Sequence, residues 1–173
     1  ETSSMATPLF VAAQSGHVEV VRELLKRSAD AEHTRTDGAS PLLVASMGGH
    51  WAVAEELCAA GASVNLAASS GTTPILVASE AGHLTMAKGL IDARANVERP
   101  GPCGITPLLA AAARGRRSVV AELLAAGAKT DALMEGGLTP LHAAAQEGYA
   151  SVVQVLLERE AAADALNCDG CTP

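Results

Sequence analysis

The chain has 173 residues and a formal net charge of −7, enough for one ordinary domain or one short repeat array. Its residues are 49% hydrophobic but only 2% aromatic, and Phe10, Trp51 and Tyr149 are the whole aromatic set, which argues against a single thick core built on large rings. The acidic balance disfavours nucleic acid as the main partner, and no run of 18 apolar residues is present that could insert into a membrane.

Alanine, leucine and valine are therefore expected to fill thin layers between closely packed helices. No basic-then-apolar leader follows Glu1, so no signal peptide is expected. The four cysteines, Cys58, Cys103, Cys168 and Cys171, do not make a disulfide framework. Reduced thiols and a cytoplasmic or nuclear location are the expectation.

From the N-terminus, Thr7-Pro8-Leu9 opens a first short helix. The hydroxyl can cap it, and proline suits the first helical position, where its missing N–H costs nothing. Gly16 ends that helix and turns the chain. A second helix follows, with apolar pairs Val20-Val21 and Leu24-Leu25 separated by Glu19, Arg22 and Glu23. That spacing gives one buried stripe and one wet face. A loop then leads to the turn pair Asp37-Gly38.

The same unit begins again at Ser40-Pro41-Leu42, Thr73-Pro74-Ile75, Thr106-Pro107-Leu108 and Thr139-Pro140-Leu141, each 33 residues after the last, and a sixth start is present as Thr172-Pro173. Other positions hold the same step. Gly38, Gly71, Gly104, Gly137 and Gly170 precede the hydroxyl-proline pair, and Gly16, Gly49, Gly82, Gly115 and Gly148 follow it. Leu24-Leu25 recurs as Leu57-Cys58, Leu90-Ile91, Leu123-Leu124 and Leu156-Leu157.

At this period, and with Thr-Pro-Leu-His-Ala-Ala running from Thr139 to Ala144, the unit resembles the ankyrin repeat. Gly16-His17 with Val20-Val21, and Gly61-Ala62 with Val64-Asn65, extend the resemblance over nearly the whole chain. The resemblance implies an all-α fold, an α-solenoid of stacked helix-turn-helix repeats with β-hairpin fingers. Fingers and first helices then form the concave side, and second helices the convex side. One ankyrin repeat domain is expected over 1–173, with repeats at about 5–34, 35–67, 68–100, 101–133 and 134–166 and a partial sixth at 167–173.

Four departures stand out. The family's histidine after Thr-Pro-Leu is present only as His142; Phe10, Leu43, Leu76 and Leu109 replace it, and apolar packing should substitute for its hydrogen bonds. The glycine after the second helix survives as Gly61 and Gly127, while Ser28, Arg94 and Glu160 hold the other matching positions. The segment Pro100, Gly101, Pro102, Cys103, Gly104 lacks two backbone donors and should be an irregular finger. Met5 stands where a finger glycine would, and Pro173 falls inside a capping motif, so a fragment of a longer array is expected.

Motifs that could carry chemistry are few. Cys168-Asp169-Gly170-Cys171 has the spacing of a zinc knuckle or a redox dithiol, but no second ligand pair accompanies it, and finger-tip residues are the simpler reading. His17, His50 and His83 recur at the 33-residue step; a metal ladder would not tolerate Arg116 and Tyr149 in the later repeats, so a structural turn role is expected. Arg114, Arg116 and Arg117 form the one basic cluster, able to receive an acidic peptide or a phosphate. Glu55, Glu56 and Glu122 read as solvated carboxylates on second helices. No catalytic set, phosphate loop or dinucleotide fingerprint is present, so neither an enzyme nor a cofactor or metal site is expected.

By the resemblance, a partner would lie across the finger tips and the exposed ends of the first helices. The expected contact residues are Thr36, Asp37 and Ala39, Met47, then Ser69, Ser70 and Thr72, Glu80, Cys103 and Ile105, Arg114, Glu135 and Leu138, and finally Gln146 and Glu147. The implied function is a protein–protein interaction module that binds a partner protein in its concave groove. The alternative is a structural spacer or regulatory array within a larger multidomain enzyme or channel.

Overall fold

The computed structural model describes residues 6–134, 136–168 and 170–173. Among them are ten α-helices in five successive pairs: α1 (Pro8–Gln14) with α2 (Val18–Lys26), α3 (Pro41–Gly48) with α4 (Trp51–Ala59), α5 (Pro74–Ala81) with α6 (Leu84–Asp92), α7 (Pro107–Ala113) with α8 (Arg117–Ala125), and α9 (Pro140–Gln146) with α10 (Ala150–Leu157). First helices pack on first helices and second helices on second helices, so the pairs form two parallel stacks.

Every first helix starts in the same way. The hydroxyls of Thr7, Ser40, Thr73, Thr106 and Thr139 accept the backbone N–H three residues on, at 3.1 to 3.4 Å, with proline at the first helical position. Each cap contributes about 1 kcal/mol. The first helices then meet through Ala12, Ala45, Ala78, Ala111 and Ala144, all buried. Leu57, Leu90, Leu123 and Leu156 fill the layer beneath, fully buried, each contributing roughly 2 kcal/mol by removal from water. Of the expected buried pair in α2, only Val21 is covered; Val20 is 49% exposed. Its counterparts Val53, Met86, Val119 and Val152 are buried, because their helices have a second helix on both sides or lie against the preceding one, whereas α2 packs only against α4 in its stack.

The residue just before each second helix caps it with no side-chain hydrogen bond. From the second pair onward its side chain instead lies over the turn glycine of the pair before. A methyl group on Gly16 would sit 2.6 Å from the His50 ring, and the same relation holds for Gly49 with His83, Gly82 with Arg116 and Gly115 with Tyr149. His50 and His83 are thus wedges between pairs. His83 Nε2 also bonds the Met47 carbonyl at 3.0 Å.

The loops after the second helices are tied by their own register. Side chains of Glu32, Asn65 and Glu98 accept the N–H groups of Ser63, Asn96 and Lys129 in the next loop at 2.8 to 3.0 Å. Second helices are joined by ion pairs, Arg22–Glu56 at 2.7 Å and Lys88–Glu122 at 2.9 Å. Glu56 and Glu122 are therefore partnered across pairs rather than simply solvated, and Glu56 first, then Glu19, holds Arg22 above the ordinary guanidinium range.

The fingers differ from the expected β-hairpins: no strand is present among the described residues. Each finger is a tight turn. Arg35 N–H donates to Ala39 O at 2.9 Å and Gly38 N–H to Arg35 O at 2.8 Å, and residues 68–72 and 134–138 repeat the pattern. This is a three-residue loop closed by a bulge glycine, with too few paired residues to extend into a ladder. Neighbouring fingers touch through single bonds such as Ser69 N–H to Asp37 O at 2.9 Å. The finger with two prolines is irregular as expected: Pro102–Gly104 forms a 3₁₀ turn in which Cys103 has φ of 54°.

The position of the family's histidine also behaves as expected. Phe10 is buried and stacks under the Arg35 guanidinium, 5.3 Å from the ring centroid. Leu76 presses its methyl group against Gly101. Only His142 makes the polar version, accepting from Thr139 N–H at 3.3 Å through Nδ1 and meeting Cys171 O at 3.1 Å through Nε2.

After the second helices the backbone is left-handed at Ser28, Gly61, Arg94, Gly127 and Glu160, with φ of 62° at Ser28 and 66° at Arg94. The next N–H closes the helix, as Ala95 N–H does on Leu90 O at 2.9 Å. A side chain in this conformation costs about 1–2 kcal/mol, of which glycine's greater freedom in the unfolded chain returns roughly 0.5–1 kcal/mol. Arg94→Gly is therefore expected to stabilise the protein by about 0.5–1 kcal/mol, seen as a raised urea midpoint. An unchanged or lower midpoint would show that Arg94 carries no strain.

Candidate functional site

Three hollows follow one another between the fingers and the first helices. The first, about 670 Å³, lies between Asp37, Ser69, Ser70 and Thr72 on the fingers and Gln14, Met47 and Gly48 on the helices, over a floor of Leu43, Val44 and Val77. The second, about 340 Å³, shares Met47 and Val77 with it and adds Glu80, Ala81, Arg114 and Arg116. The third, about 390 Å³, shares Glu80 and Arg114 with the second and reaches Pro102, Ile105, Ala113 and Glu147 over Leu76, Leu109 and Ala110. The shared residues make the three one continuous groove with an apolar floor.

Nine of the expected contact residues line it with accessible side chains: Asp37, Met47, Ser69, Ser70, Thr72, Glu80, Ile105, Arg114 and Glu147. Ala39 borders it but is only 6% exposed, its N–H held by the Asp37 carboxylate at 3.1 Å. It belongs to the core. Thr36, Cys103 and Gln146 are exposed outside the lining, and Leu138 is half-buried outside it. Glu135 lies outside the described residues.

Sequence reasoning missed Arg35, Val44, Val77 and Pro102 among the lining residues, and it placed Arg116 in the basic cluster without setting it in the groove. A signal for the valines was present. Leu42, Leu43 and Val44, like Ile75, Leu76 and Val77, are three apolar residues in a row. One buried stripe of a helix cannot absorb three adjacent positions, so the third of each set turns toward the groove, where Val77 is half-buried and Val44 is still covered.

Most polar groups of the groove are already satisfied inside the chain. Arg35 and Asp37 form an ion pair. The Arg35 hydrogen bond, with the Ala39 N–H second, lowers the Asp37 carboxyl to about 2. A depressed carboxyl contributes stability above its unfolded value and loses it as pH falls through the folded one, so what the Asp37 pairing contributes fades as pH falls from the ordinary carboxylate range toward about 2. Arg114 Nη2 and Nε both donate to Glu80 Oε1, at 2.8 and 3.3 Å. Both side chains are well exposed, so water screens the pair. The Ser70 and Thr72 hydroxyls bond each other at 2.8 Å. Arg116 gives its Nε to the Glu80 backbone oxygen at 3.2 Å, and no carboxylate among the described residues pairs with it.

Among the described residues, no three His, Cys, Asp or Glu side chains converge as metal ligands. Cys168 and Cys171 are exposed, with Asp169 between them outside the described residues. Burial pushes the Cys58 thiol up. No helix among the described residues is long and apolar enough to cross a membrane.

A family model described as ankyrin repeats (3 copies) matches residues 9–101 and again 75–169. No curated protein matches the chain.

Proposed function

Because the chain belongs to the ankyrin repeat family, whose arrays are generally protein-interaction modules, we propose that it binds a partner protein along the groove between its fingers and first helices and catalyses no reaction itself. The observation that carries this reading is the continuous groove with an apolar floor. At its centre Met47 is 56% exposed and is shared by two of the three hollows. An exposed flexible thioether over a valine floor suits the docking of an apolar side chain.

The internal pairing of Arg35 with Asp37 and of Arg114 with Glu80 favours a second reading, a spacer or regulatory array within a larger multidomain enzyme or channel. A groove whose charges are already matched can stand empty in water.

Affinity capture from cell extract, read by mass spectrometry, separates the two. The parent is run beside a Met47→Glu, Ile105→Glu variant first shown to fold. Proteins held by the parent and lost by the variant are the expected result, and they identify the partner. Identical captures from both would overturn the groove reading and leave the spacer.

A further inference from the structure

Resting on that groove reading, we infer that the bound segment of the partner sets an aspartate or glutamate side chain against Arg116 and Arg114, with a neighbouring apolar side chain on Met47 and Val77.

The argument starts from the wedge position. His50, His83, Arg116 and Tyr149 all cover the preceding turn glycine, so an imidazole or a phenol ring is sufficient for that structural job. In Arg116 the atoms nearest Gly82 are Cδ, Nε and Cγ, and Nε makes the bond to the Glu80 carbonyl. The equivalent bond in the pair before is made by His83 to the Met47 carbonyl. The guanidinium end is surplus to the wedge. It lines the hollow with Met47 and Val77, and its two terminal nitrogens have no partner among the described residues. The charge at this place therefore has no structural use.

Charge settles what it suits. The second hollow holds two guanidiniums, Arg114 and Arg116, against one carboxylate, Glu80, which leaves one positive unit there, with Glu147 in the adjoining hollow also acting on Arg114. A single carboxylate balances it, whereas a phosphate carrying nearly two charges would overshoot beside Glu80. Arg114 spends both of its bonds on one oxygen of Glu80, so it can swing to a second carboxylate without leaving Glu80 buried. A nucleic acid strand is disfavoured by the net charge of −7. The adjacent Met47 and Val77 give the anion an apolar neighbour, a common arrangement in which polar groups fix orientation and apolar ones supply contact area.

The test uses a random 16-residue peptide library displayed on phage, selected on the full chain and then sorted on Met47→Glu and Arg116→Tyr. Arg116→Tyr keeps the wedge, since Tyr149 already fills the same place over Gly115, and its folding is checked by its thermal midpoint. Peptides that depend on Met47 are expected to carry Asp or Glu at a fixed distance from an apolar residue. Their affinity is expected to fall about tenfold on Arg116→Tyr, and equally when the peptide's acidic residue becomes its amide. The combined change should cost no more than either alone. Groove-dependent peptides without an acidic preference, or indifferent to Arg116→Tyr, overturn this inference and leave the groove reading standing. Peptides indifferent to Met47→Glu, or no peptides at all, overturn both. A phosphoserine peptide that outbinds its glutamate counterpart overturns the carboxylate assignment.

Discussion

Gly89→Ala is expected to destabilise the protein by about 1–2 kcal/mol and to move its tryptophan emission to longer wavelength. The direction is the reverse of what helix propensity gives. Gly89 lies inside α6, where alanine is normally favoured by about 1 kcal/mol. The six-membered ring of the Trp51 indole, however, lies against this glycine. A methyl group there would sit 2.1 Å from Cη2, 2.2 Å from Cζ3 and 2.4 Å from Cζ2 of the ring. No neighbour in a packed interface yields that far without moving, so the indole must swing off α6 and lose its cover. Returning that much apolar surface to water costs roughly 2–3 kcal/mol, which exceeds the propensity gain. Trp51 is the only tryptophan, so its emission reports the displacement directly. In a Trp51→Leu background the obstruction is gone, and Gly89→Ala should then stabilise. Urea melts of the two single variants and the double variant measure both signs. A higher midpoint for Gly89→Ala in the parent would mean that the ring does not rest on α6.

That pair also marks the limit of what the sequence discloses. The framework was legible because every part of it recurs 33 positions later: the capping hydroxyl, the proline, the turn glycine and the buried leucine each have one job in each pair. Trp51 and Gly89 break their registers together. Counterparts of Trp51 are Val18, Leu84, Arg117 and Ala150, and those of Gly89 are Glu23, Glu56, Glu122 and Val155. A large residue facing a missing one is a contact between two departures, and a reading that follows one register at a time does not see it.

The charges were misread for a related reason. Glu56 and Glu122 were expected to face water, because each was weighed on its own helix. Arg22 with Glu56, Lys88 with Glu122 and Glu80 with Arg114 are each one repeat and one residue apart. Opposite charges at that offset fall side by side on adjacent helices of one stack, so the signal was in the numbering. The fingers were overread in the other direction. A turn pair such as Asp37-Gly38 encodes a tight reversal, but it does not encode how many residues pair beyond it, and here the reversal is followed almost at once by the next capping hydroxyl.

Gly49→Ala is expected to cost about 2–4 kcal/mol and Gly148→Ala about 1–2 kcal/mol. Both glycines end a first-helix turn in the left-handed region, with φ of 70° and 74°, and a side chain at either pays about 1–2 kcal/mol for that alone. They differ in what lies above them. At Gly148 an added methyl group meets nothing within 4 Å, whereas at Gly49 it would sit 2.7 Å from the His83 ring. His83 would have to tilt away and give up its bond to the Met47 carbonyl. The difference between the two variants therefore measures the wedge, and it should vanish when His83→Ala is combined with Gly49→Ala. Equal urea midpoints for the two single variants would show that the wedge adds no stability. The outcome bears on function as well as on folding. One repeat further on, the same wedge is Arg116 over Gly82, and the contact that locks the two pairs together is also what aims a guanidinium into the groove. A residue that must fill the turn before it has little freedom to point elsewhere, so the framework pre-organises a groove cation that no carboxylate among the described residues neutralises.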